Sequence, residues 1–301
     1  MDPLAYYATQ SPYTDPSTLA ARYDDLPHDI AGLCRVVQGL IIHYRGGEMF
    51  GHTIPQERVC EIDTRDVSKM LARLVELDPR SLTEPREPGN RLVGCCRDFA
   101  TLFCSMARSR GIPARVRIGF ASYFERDFNV DHAIAEVYDA AASRWKLVDP
   151  ELSPLHVEQF ALDFDPLDVP PGRFIAGGLA WQRYRSGADD PNRYGVAPDM
   201  DIRGSWFILD KLVQDLAAQN KMELLLWDAW GVMLDPLSRD EPSADDLALL
   251  DRAAEVTQAG PDALDAARAL YTGNPRLMVP DRVMRYSPAA EGEPAEVAAI
   301  P

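Results

Sequence analysis

Two adjacent cysteines, Cys95 and Cys96, follow a glycine in "RLVGCCRDFATLFCSMARSRGIPARVRIGF" and stand at the head of an apolar run. A thiol becomes a nucleophile when it ionises, which a helix N-terminus or a nearby imidazolium promotes. It then needs a base within hydrogen-bond reach, and a carboxylate or amide to orient that base. The chain offers both in order, His132 in "VDHAIAEVYD" and Asp149 in "WKLVDP". Together they describe acyl transfer: the thiol attacks a carbonyl, the imidazole moves the proton and the carboxylate holds the imidazole. Spacing does not choose between the thiols. Cys96 shares a helical face with Phe99, Ala100 and Phe103, and Cys95 shares one with Phe99, Leu102 and Met106. Each residue alone has an ordinary structural role, as a small buried cysteine, a bonded histidine or a turn aspartate before proline. Those roles do not predict the order and spacing of the three.

The thiols need a helix to start on, and Gly94 to Arg110 has helical character until Gly111-Ile112-Pro113 stops it. "ARVRIGFA" (114–121), "DHAIAEVYD" (131–139) and "SRWKLVDP" (143–150) alternate as strands, with a link between the last two short enough for a hairpin. That hairpin sets His132 and Asp149 across from each other at one end of a sheet. Upstream, helices are predicted over 29–44, with Asp29 as N-cap, and over "TRDVSKMLARLVEL". Downstream, helical periodicity recurs in "RFIAGGLAWQRYRSG", "SWFILDKLVQDLAAQNK", "SADDLALLDRAAEVTQA" and "PDALDAARALYT". The class is α+β. The expected division is an irregular arm over 1–28, a catalytic core over 29–160, a helical extension packed on it over 161–285 and a disordered tail over 286–301.

Composition bounds the partners. At 301 residues and a formal charge of −16, the chain has the wrong sign for nucleic acid or an anionic membrane surface. No basic and apolar leader opens it and no apolar run approaches a membrane span, so a cytoplasmic location is expected. Its five cysteines are odd in number and scattered, without a C-x-x-C pair or an H-x-x-x-H, which argues against disulfides and zinc. No EF-hand-like loop is present. No metal and no other cofactor is expected. Between Arg91 and Arg117 stand six arginines against one acid, Asp98. Arg97, next to the double cysteine, is the candidate to lower the thiol pKa or hold an anionic substrate group. The alternative is that these arginines pair with acids elsewhere in the fold.

The joint pattern "GCCRDFA", "GIPARVRIGF", "DHAIAEVYD" and "WKLVDP", from Arg91 to Pro150, resembles the transglutaminase-like superfamily. The resemblance implies a papain-like core, with a nucleophile helix on an antiparallel sheet and helical extensions on either side. It implies Cys96 as nucleophile, because "C-R-D-F" aligns there, with His132 as base and acid and Asp149 as the orienting residue. Cys95 is then a neighbour without catalytic duty. The implied substrate is a small-molecule or peptide amide, ester or thioester, with either water or an amine as acceptor. The reading from a different class is a non-catalytic transglutaminase-like scaffold that binds a peptide or protein partner in the cleft.

Overall fold

Asp2 and Asp29 each turn extended chain into helix. In the computed structural model, which describes residues 1–237 and 242–300, their carboxylates accept the N–H groups of Leu4 (3.0 Å) and Gly32 (2.7 Å). These caps start α1 (Pro3–Tyr7) and α2 (Ile30–Leu40). The helix expected through Tyr44 ends at Leu40, because the β-branched pair Ile41-Ile42 enters β1 (Ile41–His43). Asp66 caps α3 (Val67–Leu77) through the Lys69 N–H at 3.0 Å. β2 (Leu92–Gly94) then pairs in parallel with β1, His43 opposite Gly94, and runs straight into α4 (Cys96–Ser109). The double cysteine is therefore delivered by a strand that is itself pinned, with the Tyr44 N–H bonded to the Gly94 carbonyl at 2.8 Å.

The meander follows as β3 (Ala114–Glu125), β4 (Phe128–Asp139) and β5 (Arg144–Val148). β3 pairs antiparallel with β4, Gly119 opposite His132, and β4 pairs antiparallel with β5, Ala135 opposite Val148. After α5 (Pro154–Gln159), β6 (Phe174–Ala176) adds to the free edge of β3. A Cβ at Gly119 would lie 2.2 Å from the Ile175 carbonyl, so this crossing needs glycine. α6 (Gly177–Arg185), β7 (Tyr194–Gly195, parallel to β4) and α7 (Ser205–Gln219) complete the central body. β8 (Asp228–Ala229), α8 (Leu234–Leu237), α9 (Ala244–Gln258), α10 (Leu264–Thr272), β9 (Arg282–Arg285) and β10 (Ala295–Ala298) close the chain.

The α+β class holds, with α4 in one apolar cluster with Val116, Ile118, Ala133 and Ala135 of the sheet. Ile208, Leu212 and Leu216 of α7 build a second cluster with Phe120, Trp181 and Trp230. α4 is buried along nearly its whole length, so its polar residues must find partners inside the protein. Arg108 bonds Glu223 at 3.1 Å and Thr14 at 2.8 Å. Arg115 and Arg117 share Glu136, at 2.7 and 3.0 Å. Arg117 also makes a two-pronged contact with Asp215 of α7, both bonds at 3.0 Å. Burial disfavours a charged Glu136, yet its two arginines hold its pKa down to about 2. The arginine-rich stretch is thus largely the internal counter-charge of the fold.

The two ends differ from an arm and a tail without structure. Tyr7, Tyr13 and Tyr23 are buried, and the Tyr7 hydroxyl donates to the Gln219 carbonyl at 3.0 Å. At the other end β10 pairs antiparallel with β9, and the buried Ala299 accepts from the Tyr13 hydroxyl at 2.7 Å. The polar composition of 286–301 suggests disorder, whereas the backbone pairing of Ala295–Ala298, which composition does not report, gives this part of it a strand. Among the described residues no helix is long and apolar enough to cross a membrane.

Asp215 is fully buried and accepts from Arg117, from the Ile118 N–H and from Gln219. Asp215→Ala leaves the Arg117 charge short of its partner, and an unfolding free energy lower by about 3–5 kcal/mol is expected from denaturant titration. A loss below about 1 kcal/mol would contradict this role.

Candidate active site

Cys96 is the first residue of α4, with Cys95 as the preceding N-cap residue. The Asp98 carboxylate reaches back to the Cys95 N–H at 2.8 Å and fixes the turn. The first-turn N–H groups have no acceptor within the helix, and its dipole favours negative charge at Cys96. His132 lies on β4, and its Nε2 is 2.7 Å from Asp149 Oδ2, just beyond the end of β5. The ring and the Cys96 side chain also interact, each shifting the other's pKa toward the charged pair. The structure therefore brings Cys96, His132 and Asp149 together, all nearly or fully buried.

Asp149 is held from several sides. Its Oδ2 also accepts from the Tyr123 hydroxyl at 2.5 Å, and its Oδ1 accepts from the Glu151 N–H at 3.1 Å. Burial and the Asp149 charge push the Tyr123 pKa far up, so the phenol stays a donor. Tyr123 is missed by the sequence reading because that strand was expected to stop at Ala121. β3 instead continues through a register shift between Ala121 and Glu125, which swings Tyr123 in.

The two thiols titrate apart. The Cys96 pKa is lowered to about 6, first by a hydrogen bond from Cys95, then, against burial, by its bond and charge contact with His132. Cys95 is pushed well up by the same bond and by burial, so it remains a thiol and donates. Burial opposes a charged His132, but Asp149 and Cys96 raise its pKa well above the usual histidine value. A thiolate–imidazolium pair is the favoured state between these two values.

Both thiols and His132 open on a cavity of about 710 Å³. Its walls come from distant segments: Tyr44 and Arg45 after β1, Trp206 and Phe207 of α7, Trp227, and Tyr286 near the C-terminus. His43 and His156 also stand on this wall. Burial lowers both imidazole pKa values, that of His43 to about 3, so they are neutral. Glu151 is on the wall too, with a buried Oε2 that has no partner, and burial raises its pKa strongly. Its place two residues after Asp149 is the one hint the sequence carries.

Arg97 requires a correction as a substrate ligand. It does not line the cavity and is fully buried. Its guanidinium donates to the Glu223 carbonyl (3.1 Å), the Arg65 carbonyl (2.5 Å) and Asp98 (3.0 Å). A guanidinium can be buried this deeply only when such acceptors surround it, and these leave nothing for a ligand. Among the described residues no group of three or more histidine, cysteine or acidic side chains is arranged to hold a metal ion.

The titration has a direct readout in iodoacetamide alkylation followed by mass spectrometry. The Cys96 rate should rise through a midpoint near pH 6 and be flat from pH 7 to 8, because the thiolate forms above the lowered pKa. Cys95→Ala removes the hydrogen bond that lowers it most and should move the midpoint upward by about one unit or more. A wild-type midpoint above pH 8 would rule out the ion pair.

The model of the transglutaminase-like superfamily matches residues 65–150, a span that includes Cys96, His132 and Asp149. No curated protein and no solved structure matches the chain. The matched span begins just before α3 and ends directly after Asp149, so it takes in the nucleophile helix and the three-stranded meander described above. The superfamily typically performs cysteine-based acyl transfer or hydrolysis. Residues 65–150 of the chain thus form a segment similar to the transglutaminase-like superfamily core.

Proposed function

We propose that the protein is a cysteine-dependent acyltransferase or amide hydrolase that works through a thioacyl-enzyme intermediate. The observation that carries this reading is the orientation of His132. One ring nitrogen is fixed 2.7 Å from Asp149, and the ring also bonds the thiol of lowered pKa at a helix start. In the first half-reaction the Cys96 thiolate adds to the substrate carbonyl carbon. The carbonyl oxygen becomes an oxyanion, and the Cys96 N–H at the head of α4 supports the reading as one of its donors. The tetrahedral species collapses with cleavage of the bond to the leaving group, which takes the proton from the His132 imidazolium. In the second half-reaction neutral His132 removes a proton from water or an amine as it attacks the thioester. The Cys96 thiolate leaves and the product carries the acyl group.

Asp149 acts through His132, to whose Nε2 it is bonded. The Tyr123 hydroxyl and the Glu151 N–H hold the carboxylate in place, which keeps the Nε2–H tautomer in register. The volume of the cavity, about 710 Å³, supports a small-molecule substrate or a single side chain of a peptide over a broad protein surface.

Three variants test the reading on the thioacyl adduct, trapped from cell extract and identified by intact mass. Cys96→Ala should form no adduct and lose turnover by about 10³-fold or more. Cys95→Ala should keep most of both. His132→Ala should slow adduct formation and lose the fast alkylation of Cys96. Equal, slow labelling of all five thiols in the wild type would favour a non-catalytic scaffold instead.

A further inference from the structure

Besides Glu151, a second carboxyl on the cavity wall lacks the partner its burial calls for. Asp210 stands on α7, one turn beyond Trp206 and Phe207, and is only 7% exposed. Its Oδ1 is buried without a hydrogen-bond partner, and the residue lines the cavity. The nearest cation, Lys211, is committed elsewhere: its Nζ donates to Gln214 (3.2 Å) and to the Leu226 carbonyl (3.0 Å). It also lies 3.7 Å from Asp131 and 4.6 Å above the Phe207 ring. A buried carboxyl without donors is costly, and most such groups in proteins are satisfied by a ligand, a water or a counter-charge.

The surroundings say which ligand. Asp131 and Glu151 add two more acids to the same wall, and Arg45 is the one lysine or arginine among the described lining residues. Asp228 is already neutralised by Arg65, through bonds of 2.5 and 2.8 Å. An anion would meet carboxyls here, whereas a cation would meet carboxyls and the aromatic walls of Trp206, Trp227 and Tyr286. We propose that Asp210 is the anchor of a subsite for a protonated primary amine, carried by the ligand whose acyl carbon lies at Cys96. The proposal rests on the acyl-transfer reading for the role of Cys96, while the subsite stands on the cavity itself. The ammonium supplies the missing donors to Asp210, and its alkyl or aryl stem lies against the aromatic walls.

Binding separates the subsite from the chemistry. Benzylamine, benzyl alcohol and benzoate, three probes of similar shape and different charge, are titrated into Cys96→Ala protein at pH 7 by calorimetry. Saturable binding of benzylamine is expected, at least tenfold tighter than the alcohol, with no binding of benzoate. Asp210→Asn in that background keeps the side chain's shape and should weaken benzylamine by tenfold or more. In the otherwise wild-type protein the same substitution should leave Cys96 alkylation within twofold. Should Asp210→Asn fold poorly, the wild-type protein gives the answer unaided, since benzylamine should slow alkylation of Cys96 and benzoate should not. Benzoate binding as well as benzylamine, or benzylamine binding unchanged by Asp210→Asn, would overturn the proposal. Because these readouts need no turnover, a failed acyl-transfer reading leaves them intact, and a failed subsite leaves fast Cys96 alkylation intact.

Discussion

The contact between Arg117 and Asp215 ties the sheet to the helical layer that completes the cavity. Arg117 belongs to β3, the strand that pairs with both β4 and β6, and Asp215 belongs to α7. Asp215 also accepts the Ile118 N–H, so one carboxylate fixes a side chain and a backbone of the strand together. α7 is a continuous helix, and fixing Asp215 sets the position of Trp206, Phe207 and Asp210 earlier along it. β4 is fixed by its ladder to β3, and His132 goes with it. The two walls of the site are thereby referred to one buried ion pair, which costs desolvation and returns orientation.

Local signals in the sequence were enough for the double cysteine, the imidazole and the carboxylate, while the choice of Cys96 over Cys95 rested on the family resemblance. A helix that starts after glycine, a strand of alternating residues and an aspartate before proline are all written in neighbouring residues, and they place Cys96, His132 and Asp149 on the elements found for them. The wall of the cavity was not legible in the same way. His43, Trp206 and Tyr286 approach one another only through the packing of separate elements, and no period or motif marks such meetings. Tyr123 depended on a shift in strand register, which hydrophobic alternation does not encode. Arg97 shows the opposite error: its neighbour in sequence is Cys96, but its partners in space are the carbonyls of Arg65 and Glu223. Proximity along the chain said nothing about the direction of the side chain.

The paired thiols divide the electrostatic work. A single cysteine buried this deeply has its ionisation suppressed, as Cys34 and Cys104 illustrate with raised pKa values. Cys96 differs because its contacts with Cys95, whose own pKa is raised, and with His132 lower it against burial. The double cysteine is in this sense one functional unit, in which only one sulfur carries the charge.

The wall built by Tyr286 and its neighbours adds a temporal consequence. Those residues are synthesised long after the nucleophile helix, and β9 and β10 pair only once both have left the ribosome. A nascent chain that has folded its meander can hold the thiol, the imidazole and the carboxylate in place with the chamber still open on one side. The chamber is then closed on that side only when the segment carrying Tyr286 has been made.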